Sequence, residues 1–328
     1  MRVSSGSLIG PTRYIKVSNR IVRGSPLKLG LVGAGYWGKV YIKTIERLAG
    51  FSLTRLASNN SESRNLVHED CQISENWQEV TGADDLDGVI IATPPNLHAQ
   101  MVRAAIDSSN PVLVEKPLTL DIGEAKALLN AAKEQRAIVL VDHIHLYHPA
   151  FRVMKRLGKA LGPVRAIHSM AGSWGPFRRD TSVLWDRGSH DVAMCIDILG
   201  HEPSQASVWK NKKQLTENGL GENLSALLTF PCGAKANLGI GNLFNEKKRS
   251  FTVQYDEQSL TYDDVGKVAL FRRLKTGTVE AIDIKMTLPL DQVLMDFAVA
   301  IRRDTLDIEG LKLGVKVVNA LNLCEKSI

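Results

Sequence analysis

A lysine and a carboxylate–histidine pair are the residues of this sequence best suited to chemistry. Glu115-Lys116-Pro117 follows an apolar run at residues 111–114, and Asp186 and His190 lie four positions apart where a helical pattern begins. On a helix, that spacing places two side chains on one face. A lysine can donate hydrogen bonds to a hydroxyl or carbonyl oxygen, and an imidazole is the usual general base near neutral pH. Together these groups could handle a hydroxyl proton.

Each of these features also has a purely structural explanation. The Glu-Lys-Pro sequence could begin a solvated surface loop. Asp186 and His190 could be a helix cap and a buried structural histidine. A metal site is not expected, because no third ligand is obvious beside them. The elements that carry these residues decide between the alternatives.

A glycine-rich turn indicates a dinucleotide site in the first half of the chain. The apolar segment 27–32 leads directly into Gly33, Gly35 and Gly38, and apolar residues recur at helical spacing over 37–48. Strand, G-x-G-x-x-G and helix is the context in which this pattern binds a dinucleotide. The glycines allow a tight turn and close approach of the pyrophosphate, which the helix N-terminus attracts. A glycine-rich turn without a ligand remains the alternative.

The residues after the second predicted strand leave the choice between NAD and NADP open. The strand at 51–57 ends in Ser58-Asn59-Asn60, where an NAD site usually carries an acidic residue about 20 positions beyond the glycines. Without that carboxylate, Arg64 could contact the 2′-phosphate of NADP. Ser58 and Asn59 could equally bind the ribose of NAD. Either cofactor is therefore expected.

Further strands and helices alternate up to residue 143. The strand at 86–92 ends in Thr93-Pro94-Pro95, and His98 either lines the cofactor pocket or belongs to the first turn of a helix. A helix at 121–134 and a strand at 137–143 follow, which predicts a doubly wound parallel sheet. The candidate cofactor-binding residues are Gly33, Gly35, Tyr36, Trp37, Gly38, Ser58, Asn59, Arg64, Thr93, Pro94, Pro95, His98, Glu115 and Lys116.

The second half of the chain has a different pattern. After a helix at 151–157, strand-like segments follow one another without intervening long helices, and helices at 289–302 and 310–326 close the chain. This pattern predicts an α+β domain with a large, mostly antiparallel open sheet. The predicted strands are 164–170, 206–210, 223–230, 234–239, 250–255, 259–263 and 268–272. We predict a basic, disordered extension at 1–26, a Rossmann domain at 27–147, and a substrate-binding and oligomerisation domain at 148–328.

The bulk composition excludes several classes of protein. The 328 residues are 44% hydrophobic and 23% charged, and no run of about 18 apolar residues indicates a membrane span. The net charge of +6, with one concentrated basic tract at 247–249, gives little support for nucleic-acid binding. The net positive charge could favour a phosphorylated or nucleotide-linked substrate. The four cysteines lie far apart in the sequence, as expected for reduced thiols of a cytoplasmic protein.

Residues 1–26 contain five Arg or Lys and no acidic residue. An organellar transit peptide has such a composition, and so does a mobile N-terminal extension. We favour the extension and exclude it from the fold.

These motifs together resemble the Gfo/Idh/MocA oxidoreductases, the family of glucose–fructose oxidoreductase and inositol dehydrogenase. The similarity runs from residue 27 onwards and depends on the glycine motif, on 92–95 with His98, on Glu-Lys-Pro at 115–117, and on Asp186-x-x-x-His190. It implies that Lys116, Asp186 and His190 form the catalytic group of an NAD(P)-dependent dehydrogenase or reductase. It also implies a homodimer or homotetramer joined through the C-terminal sheet, with no membrane or nucleic-acid partner.

The sequence at 142–150 is similar to that of family members acting on nucleotide-linked sugars, which implies substrate contacts by His143 and Tyr147. Arg178 and Arg179, in the loop after Gly175-Pro176-Phe177, could meet a substrate phosphate. The expected substrate is thus a secondary alcohol of a sugar or sugar derivative. A cyclitol or dihydrodiol dehydrogenase is one alternative, and a non-catalytic NAD(P)-binding sensor is another.

Overall fold

The computed structural model describes residues 25–303 and 308–328, which fold around two β-sheets. Every neighbouring pair in the first sheet is parallel, and the strand order is β3-β2-β1-β4-β5-β6. Its strands are β1 (Leu27–Val32), β2 (Phe51–Ala57), β3 (Gln72–Ser74), β4 (Gly88–Ile91), β5 (Val112–Glu115) and β6 (Val139–Asp142). The predicted doubly wound parallel sheet is confirmed.

The strand order reverses between β1 and β4, and this switch point defines a crevice at the carboxyl ends of the strands. Because β5 neighbours β4 and ends at Glu115, Lys116 emerges at the edge of the sheet where the glycine turn also lies. The helices of this part are α1 (Tyr36–Arg47), α2 (Gln78–Thr81), α3 (His98–Asp107) and α4 (Ile122–Glu134).

The second sheet has the order β14-β13-β12-β11-β7-β10-β9-β8 and is antiparallel except between β7 and β10. Its strands are β7 (Ala166–Trp174), β8 (Gln205–Thr216), β9 (Gly219–Thr229), β10 (Lys235–Gly241), β11 (Leu243–Gln254), β12 (Gln258–Asp263), β13 (Leu270–Leu274) and β14 (Val279–Ala281). The predicted open, mostly antiparallel sheet is confirmed. Strand β8 extends well beyond the predicted 206–210. Val208 is its one buried residue, so the sequence lacks the alternation of apolar and polar residues by which a strand is recognised.

Helices connect and cover the two sheets. They are α5 (Pro149–Gly158), α6 (Ser189–Leu199), α7 (Pro289–Arg303) and α8 (Ile308–Glu325). Helix α7 packs on the first sheet, since a Cβ on Gly88 of β4 would lie 2.8 Å from Phe297 Cζ. Helix α8 packs on β6, where a Cβ on Gly314 would lie 2.9 Å from Val141 Cγ2. The last helices therefore return to the first sheet, and the domain boundary at residue 147 stays a prediction.

Two further sequence-based expectations concern the ends and the cysteines of the chain. The extension predicted at 1–26 lies almost wholly outside the described residues. All four cysteines are free thiols, and only Cys232 is exposed. Within the described ranges, no helix combines the length and the apolar character that a membrane crossing requires.

Candidate active site

Lys116 reaches from the edge of the first sheet to the beginning of α6. Its Nζ donates a hydrogen bond to the main-chain oxygen of Asp186 at 2.6 Å and lies 3.2 Å from Asp186 Oδ1. The Lys116 side chain is only 7% exposed, so this ammonium is largely removed from water. A contact between residues 70 positions apart thus joins two of the predicted catalytic elements.

Asp186 is positioned by a π-helical turn, Leu184–Gly188, which leads directly into α6. The amide of Asp186 donates to Ser182 O at 2.9 Å, and the Asp186 carbonyl accepts from Ser189 Oγ at 3.2 Å as well as from Lys116. Such turns are rare and frequent at functional sites. The four-residue spacing in the sequence predicts Asp186 and His190 on one face of an α-helix. The local winding is instead π-helical at Asp186 and α-helical only from Ser189 onwards.

The Asp186 carboxylate is held between two cations. Arg178 Nε lies 3.3 Å from the same Oδ1 that faces Lys116. Burial alone would raise the pKa of Asp186, but the charges of Lys116 and Arg178 outweigh it and hold that pKa below its usual value. Asp186 is therefore ionised near neutral pH and fixes the Lys116 ammonium.

His190 is a neutral imidazole that lines the basic cavity described below. Burial lowers the pKa of His190 well below its usual value, and the positive charge of Lys116 lowers it further. Its ring meets that of His145 edge-on, with ring centres 4.8 Å apart. Nδ1 is buried and has no hydrogen-bond partner among the residues that the structure describes. A neutral ring with an unpartnered nitrogen is able to accept a proton.

Two carboxyl groups lie buried beneath Lys116. Glu115 and Asp142 face each other in the register of β5 and β6, and Tyr41 Oη donates to Asp142 Oδ2 at 2.6 Å. Burial raises the pKa of Asp142 to about 6. Burial, reinforced by the charge of Asp142, raises the pKa of Glu115 well above its usual value. The ionised partner of Lys116 is therefore Asp186 and not the adjacent Glu115.

The glycine turn has the shape that a dinucleotide requires. Gly33 has a φ of +98°, and a Cβ there would lie 2.7 Å from Ala92 O, while a Cβ on Gly38 would lie 2.0 Å from Gly33 O. Because neither residue has a Cβ, the backbone at Gly33 can pack against Ala92, and the backbone at Gly38 can pack against Gly33. A Cβ on Gly35 would meet no atom within 4 Å, so the space above it is open to a ligand. The turn thus fits the pyrophosphate of NAD or NADP, whose negative charge the N-terminus of α1 would attract.

Three adjoining cavities follow this edge of the sheet. The glycine cavity, about 410 Å³, lies between Gly33–Gly35, 58–60 and α3. The lysine cavity, about 170 Å³, shares Gly35, Thr93 and Pro94 with it and contains Lys116, Arg178 and Asp186. The basic cavity, about 380 Å³, shares Tyr36 and Trp37 with the lysine cavity. It is lined by Tyr36, Trp37, Ile144, His145, His148, Gly172, Ser173, Arg187, His190, Lys247, Lys248, Arg249, Asp264 and Pro289.

Most of the predicted cofactor residues line this run of cavities. Ser58 and Asn59 line the glycine cavity, and Pro95 and Glu115 line the lysine cavity. Gly38 lies beneath the turn, in contact with Gly33. The structure therefore brings most of the predicted dinucleotide residues and Lys116 to one edge of the sheet.

Arg64 and His98 are used for other contacts. The Arg64 guanidinium donates to the carbonyl oxygens of His68, Glu69 and Cys71, at 3.2, 3.2 and 2.7 Å, and lines none of the three cavities. His98 begins α3 and is fully buried. Its two ring nitrogens lie 2.8 Å from Pro117 O and 3.0 Å from Thr93 O, so it ties together two loops of the site from below.

Of the other residues predicted to contact the substrate, Arg178 lines a cavity of the site, whereas His143, Tyr147 and Arg179 line none of the three cavities. His143 is buried behind the site, and burial lowers its pKa to about 3. Tyr147 lies beneath the Arg152 guanidinium, 4.9 Å from the ring centre. Arg178 faces the lysine cavity rather than the basic one, and Arg179 donates to Glu217 O at 3.0 Å.

Several lining residues were not predicted from the sequence. His145, His148, Arg187 and the tract at 247–249 line the basic cavity, and Glu75 and Trp77 line the glycine cavity. The tract at 247–249 is visible in the sequence as a run of positive charge, but its position beside His190 is not. Among the described residues, no cluster of ligand side chains could hold a metal ion.

The chain is similar to known oxidoreductases. The model of an oxidoreductase family with an NAD-binding Rossmann fold, Gfo/Idh/MocA, matches residues 27–143. A UDP-N-acetylglucosamine 3-dehydrogenase of Acidithiobacillus ferrooxidans is 24% identical over 290 residues, covering 84% of this chain and 88% of that protein. Inositol 2-dehydrogenase 4 of Saccharopolyspora erythraea is 30% identical over 191 residues, 56% of each chain.

Solved structures extend the similarity over nearly the whole chain. A crystal structure from Magnetospirillum magnetotacticum MS-1, described in general terms as an oxidoreductase, has a TM-score of 0.85 and 37% identity, covering 92% of this chain and 100% of that one. The fold and the site define a nicotinamide-dependent oxidoreductase that acts on CH–OH groups. Residues 27–143 of the chain belong to the Gfo/Idh/MocA family.

Proposed function

We propose that this protein transfers hydride between NAD(P) and a secondary alcohol or ketone of a sugar or sugar derivative. The observation that carries the proposal is the contact of Lys116 with Asp186, which brings an ammonium from the Rossmann sheet into the cavity lined by Gly35 and close enough to His190 for its charge to lower the pKa of that imidazole. When bound, the nicotinamide cofactor supplies the hydride acceptor or donor. The residues of the chain supply the proton transfer and the placement of the substrate.

The three residues have separate roles in this proposal. His190, neutral and lining the basic cavity, accepts the hydroxyl proton of the alcohol. Lys116 donates a hydrogen bond to the same oxygen and stabilises the negative charge that develops there. Asp186 holds the Lys116 ammonium in place through its carbonyl and its carboxylate.

Cofactor absorbance during incubation with a panel of substrates tests the proposal. The panel contains UDP-sugars, free sugars, sugar phosphates, inositols and a dihydrodiol. We expect reduction of NAD(P) with at least one sugar derivative. Turnover of cyclitols or dihydrodiols alone would reassign the substrate class. Tight cofactor binding without turnover of any compound would instead support a sensor.

The glycine cavity favours NAD over NADP. The one charged side chain that lines it is Glu75, and the Arg64 guanidinium is bonded to main-chain carbonyls elsewhere. A 2′-phosphate would therefore meet a carboxylate and no cation within the described part of this cavity. The Glu75 carboxylate can accept from a hydroxyl of an NAD ribose, and Ser58 Oγ, which already accepts from Asn60 N and Ser63 Oγ, has its own proton to donate to one.

We therefore expect NADH to bind roughly tenfold or more tightly than NADPH, a difference of about 1.4 kcal/mol. Glu75→Gln should narrow this ratio by improving NADPH binding, because it removes the like charge. Fluorescence titration of both reduced cofactors measures the effect. Glu69→Gln, which removes an exposed carboxylate outside the cavity, is the matched control. Equal affinities in the wild type would contradict the expected preference.

The proposal includes a cytoplasmic homodimer or homotetramer joined through the second sheet. Strands β7 and β8 expose Met170, Trp174 and Trp209, with 40%, 57% and 52% of each residue accessible. Apolar side chains grouped on one sheet favour a protein partner there. A monomer in analytical ultracentrifugation would exclude this part of the proposal.

A further inference from the structure

The basic cavity carries more positive charge than the reaction itself requires. We propose that it binds an anionic group of the substrate, a phosphate or a carboxylate, through Lys247, Lys248 and Arg187. This inference rests on the proposed function, because His190 lines the same cavity. It narrows the substrate class from sugars in general to sugars that carry a negative charge.

The charged side chains around the cavity do not balance. Four cations line it, namely Arg187, Lys247, Lys248 and Arg249, against the single carboxylate of Asp264. Asp264 already faces His148, with its Oδ1 3.5 Å from the imidazole Nε2. A cavity that concentrates charge of one sign attracts ligands of the opposite sign.

Arg249 is the one cation whose charge the protein neutralises. Its Nη1 lies 3.1 Å from each carboxylate oxygen of Asp191, which is fully buried in α6. Arg249 is therefore a structural residue that anchors β11 to the helix carrying His190. Lys247 and Lys248 have no ion-pair partner among the described residues, and Arg187 has only the charge of Asp186, which Lys116 and Arg178 share.

These three cations remain available for a ligand. Lys247 and Lys248 are exposed, and neither side chain makes a hydrogen bond or an ion pair within the described ranges. The guanidinium of Arg187 donates to two neutral acceptors, Ser173 Oγ at 2.9 Å and the carbonyl of Gly175. Its Nε is buried and has no partner in the described structure. An anion is the ligand that these donors bind best.

A break in strand register places the two lysines over the cavity. Between β7 and β11, Trp174 pairs with Leu243 and Gly172 pairs with Lys248, so four residues of β11 oppose the single Ser173. The surplus residues bulge out of the sheet, and Lys247 and Lys248 stand at the end of this bulge. Bulges of this kind are common beside active sites, where they redirect side chains.

The bulge is fixed by packing rather than loosely attached. The ring of Phe244, its first residue, lies where side chains on Gly172 and Gly241 would be. A Cβ on Gly172 would approach Phe244 Cδ2 to 2.4 Å, and one on Gly241 would approach Cε1 to 2.7 Å. The sheet has no side chain at these two positions, and the aromatic ring fills the space. The lysines are therefore held at one place on the cavity wall.

Steady-state kinetics of the holoenzyme with matched substrates test the inference. For one sugar, the panel compares the neutral form, its phosphate, its uronate and its nucleotide-diphosphate form. We expect a lower KM for at least one anionic form than for the neutral sugar. The double variant Lys247→Ala, Lys248→Ala should raise that KM about tenfold or more, since it removes two charge-assisted hydrogen bonds. The kcat and the Kd for NADH should change little.

Lys212→Ala, Lys213→Ala is the matched control, because these adjacent lysines of the same sheet are exposed and line none of the three cavities. Lys247→Arg, Lys248→Arg should restore most of the binding. The anionic form with the largest KM change identifies the group that the cavity takes. Equal KM values for neutral and anionic forms in the wild type, or an unchanged KM in the double alanine variant, would overturn the inference.

A binding measurement separates this inference from the proposed reaction. Glucose 1-phosphate, glucuronate and uridine diphosphate are titrated into the NADH complex by calorimetry, with glucose as the neutral reference. Anion binding that the double alanine variant loses supports the site even if no turnover is found. If none of the anions binds the NADH complex, the inference fails whether or not neutral sugars are oxidised.

Discussion

Lys116→Ala should lower kcat by about a hundredfold or more, with less effect on cofactor affinity. The ammonium faces the lysine cavity and donates a hydrogen bond to the main-chain oxygen of Asp186, in the turn that leads to His190. Its removal takes away the hydrogen bond to the reacting oxygen. It also removes the largest influence that lowers the pKa of Asp186, so this carboxyl would shift toward protonation. Stopped-flow or steady-state cofactor absorbance measures the loss.

A second substitution separates chemistry from packing at this position. Lys116→Met retains most of the aliphatic stem of a side chain that is 7% exposed, and it should be as inactive as the alanine variant. Lys126→Ala, on the exposed side of α4, should retain normal activity. Circular dichroism and NADH titration verify that the variants fold and bind cofactor. A kcat near the wild-type value in Lys116→Met would remove the lysine from the mechanism.

His190→Ala should also lower kcat by about a hundredfold or more, because the reaction then lacks its proton acceptor. Added imidazole should restore part of the rate, which it would not do if His190 were only a packing residue. His190→Asn, which cannot accept the proton in the same way, should remain inactive without imidazole. His201→Ala, at an exposed histidine beyond the end of α6, is the control. A His190 variant with near-normal turnover would contradict this role.

The pH dependence follows from the same group. Burial and the charge of Lys116 lower the pKa of His190, so the imidazole stays neutral until the pH falls well below 6.5. Protonation of His190 should therefore not reduce alcohol oxidation between pH 8 and pH 6.5, and the acid-side loss should come at lower pH. A pH profile of kcat/KM for the wild type measures this. An acid limb centred near 6.5 or above would mean that another group accepts the proton.

Sequence patterns predicted the elements of the fold well, because strands of the parallel sheet are continuous apolar runs and end in recognisable turns. Glu115 is indeed the last residue of β5, and Gly33 has the positive φ that the glycine motif requires. The long edge strand β8 was underestimated because its exposed faces are polar. A single sequence reveals a strand through the apolar residues that the strand buries. Buried strands are therefore predicted well, and an exposed strand such as β8 is predicted poorly.

The site was less predictable, because it depends on contacts between distant residues. The Arg64 guanidinium donates hydrogen bonds to three main-chain carbonyls, and a sequence does not show such contacts. The π turn at Asp186 changes a spacing that was predicted to be α-helical. The basic tract at 247–249 was noticed, but the pairing of Arg249 with Asp191 across 58 positions decides which of its charges are free. Long-range partners, rather than residue types, determined these outcomes.

The bulge in β11 separates the residues that select a substrate from those that transform it. Lys247 is the last residue of the four-residue segment that has no strand partner, and Lys248 follows it directly, whereas Lys116, Asp186 and His190 lie on the edge of the first sheet and at the start of α6. Changes of length or charge in the bulge would leave the strand pairing on both sides intact. Relatives could therefore diverge in the compounds they recognise while inheriting the same chemistry, and exchange of this short segment offers an engineering route to new specificities.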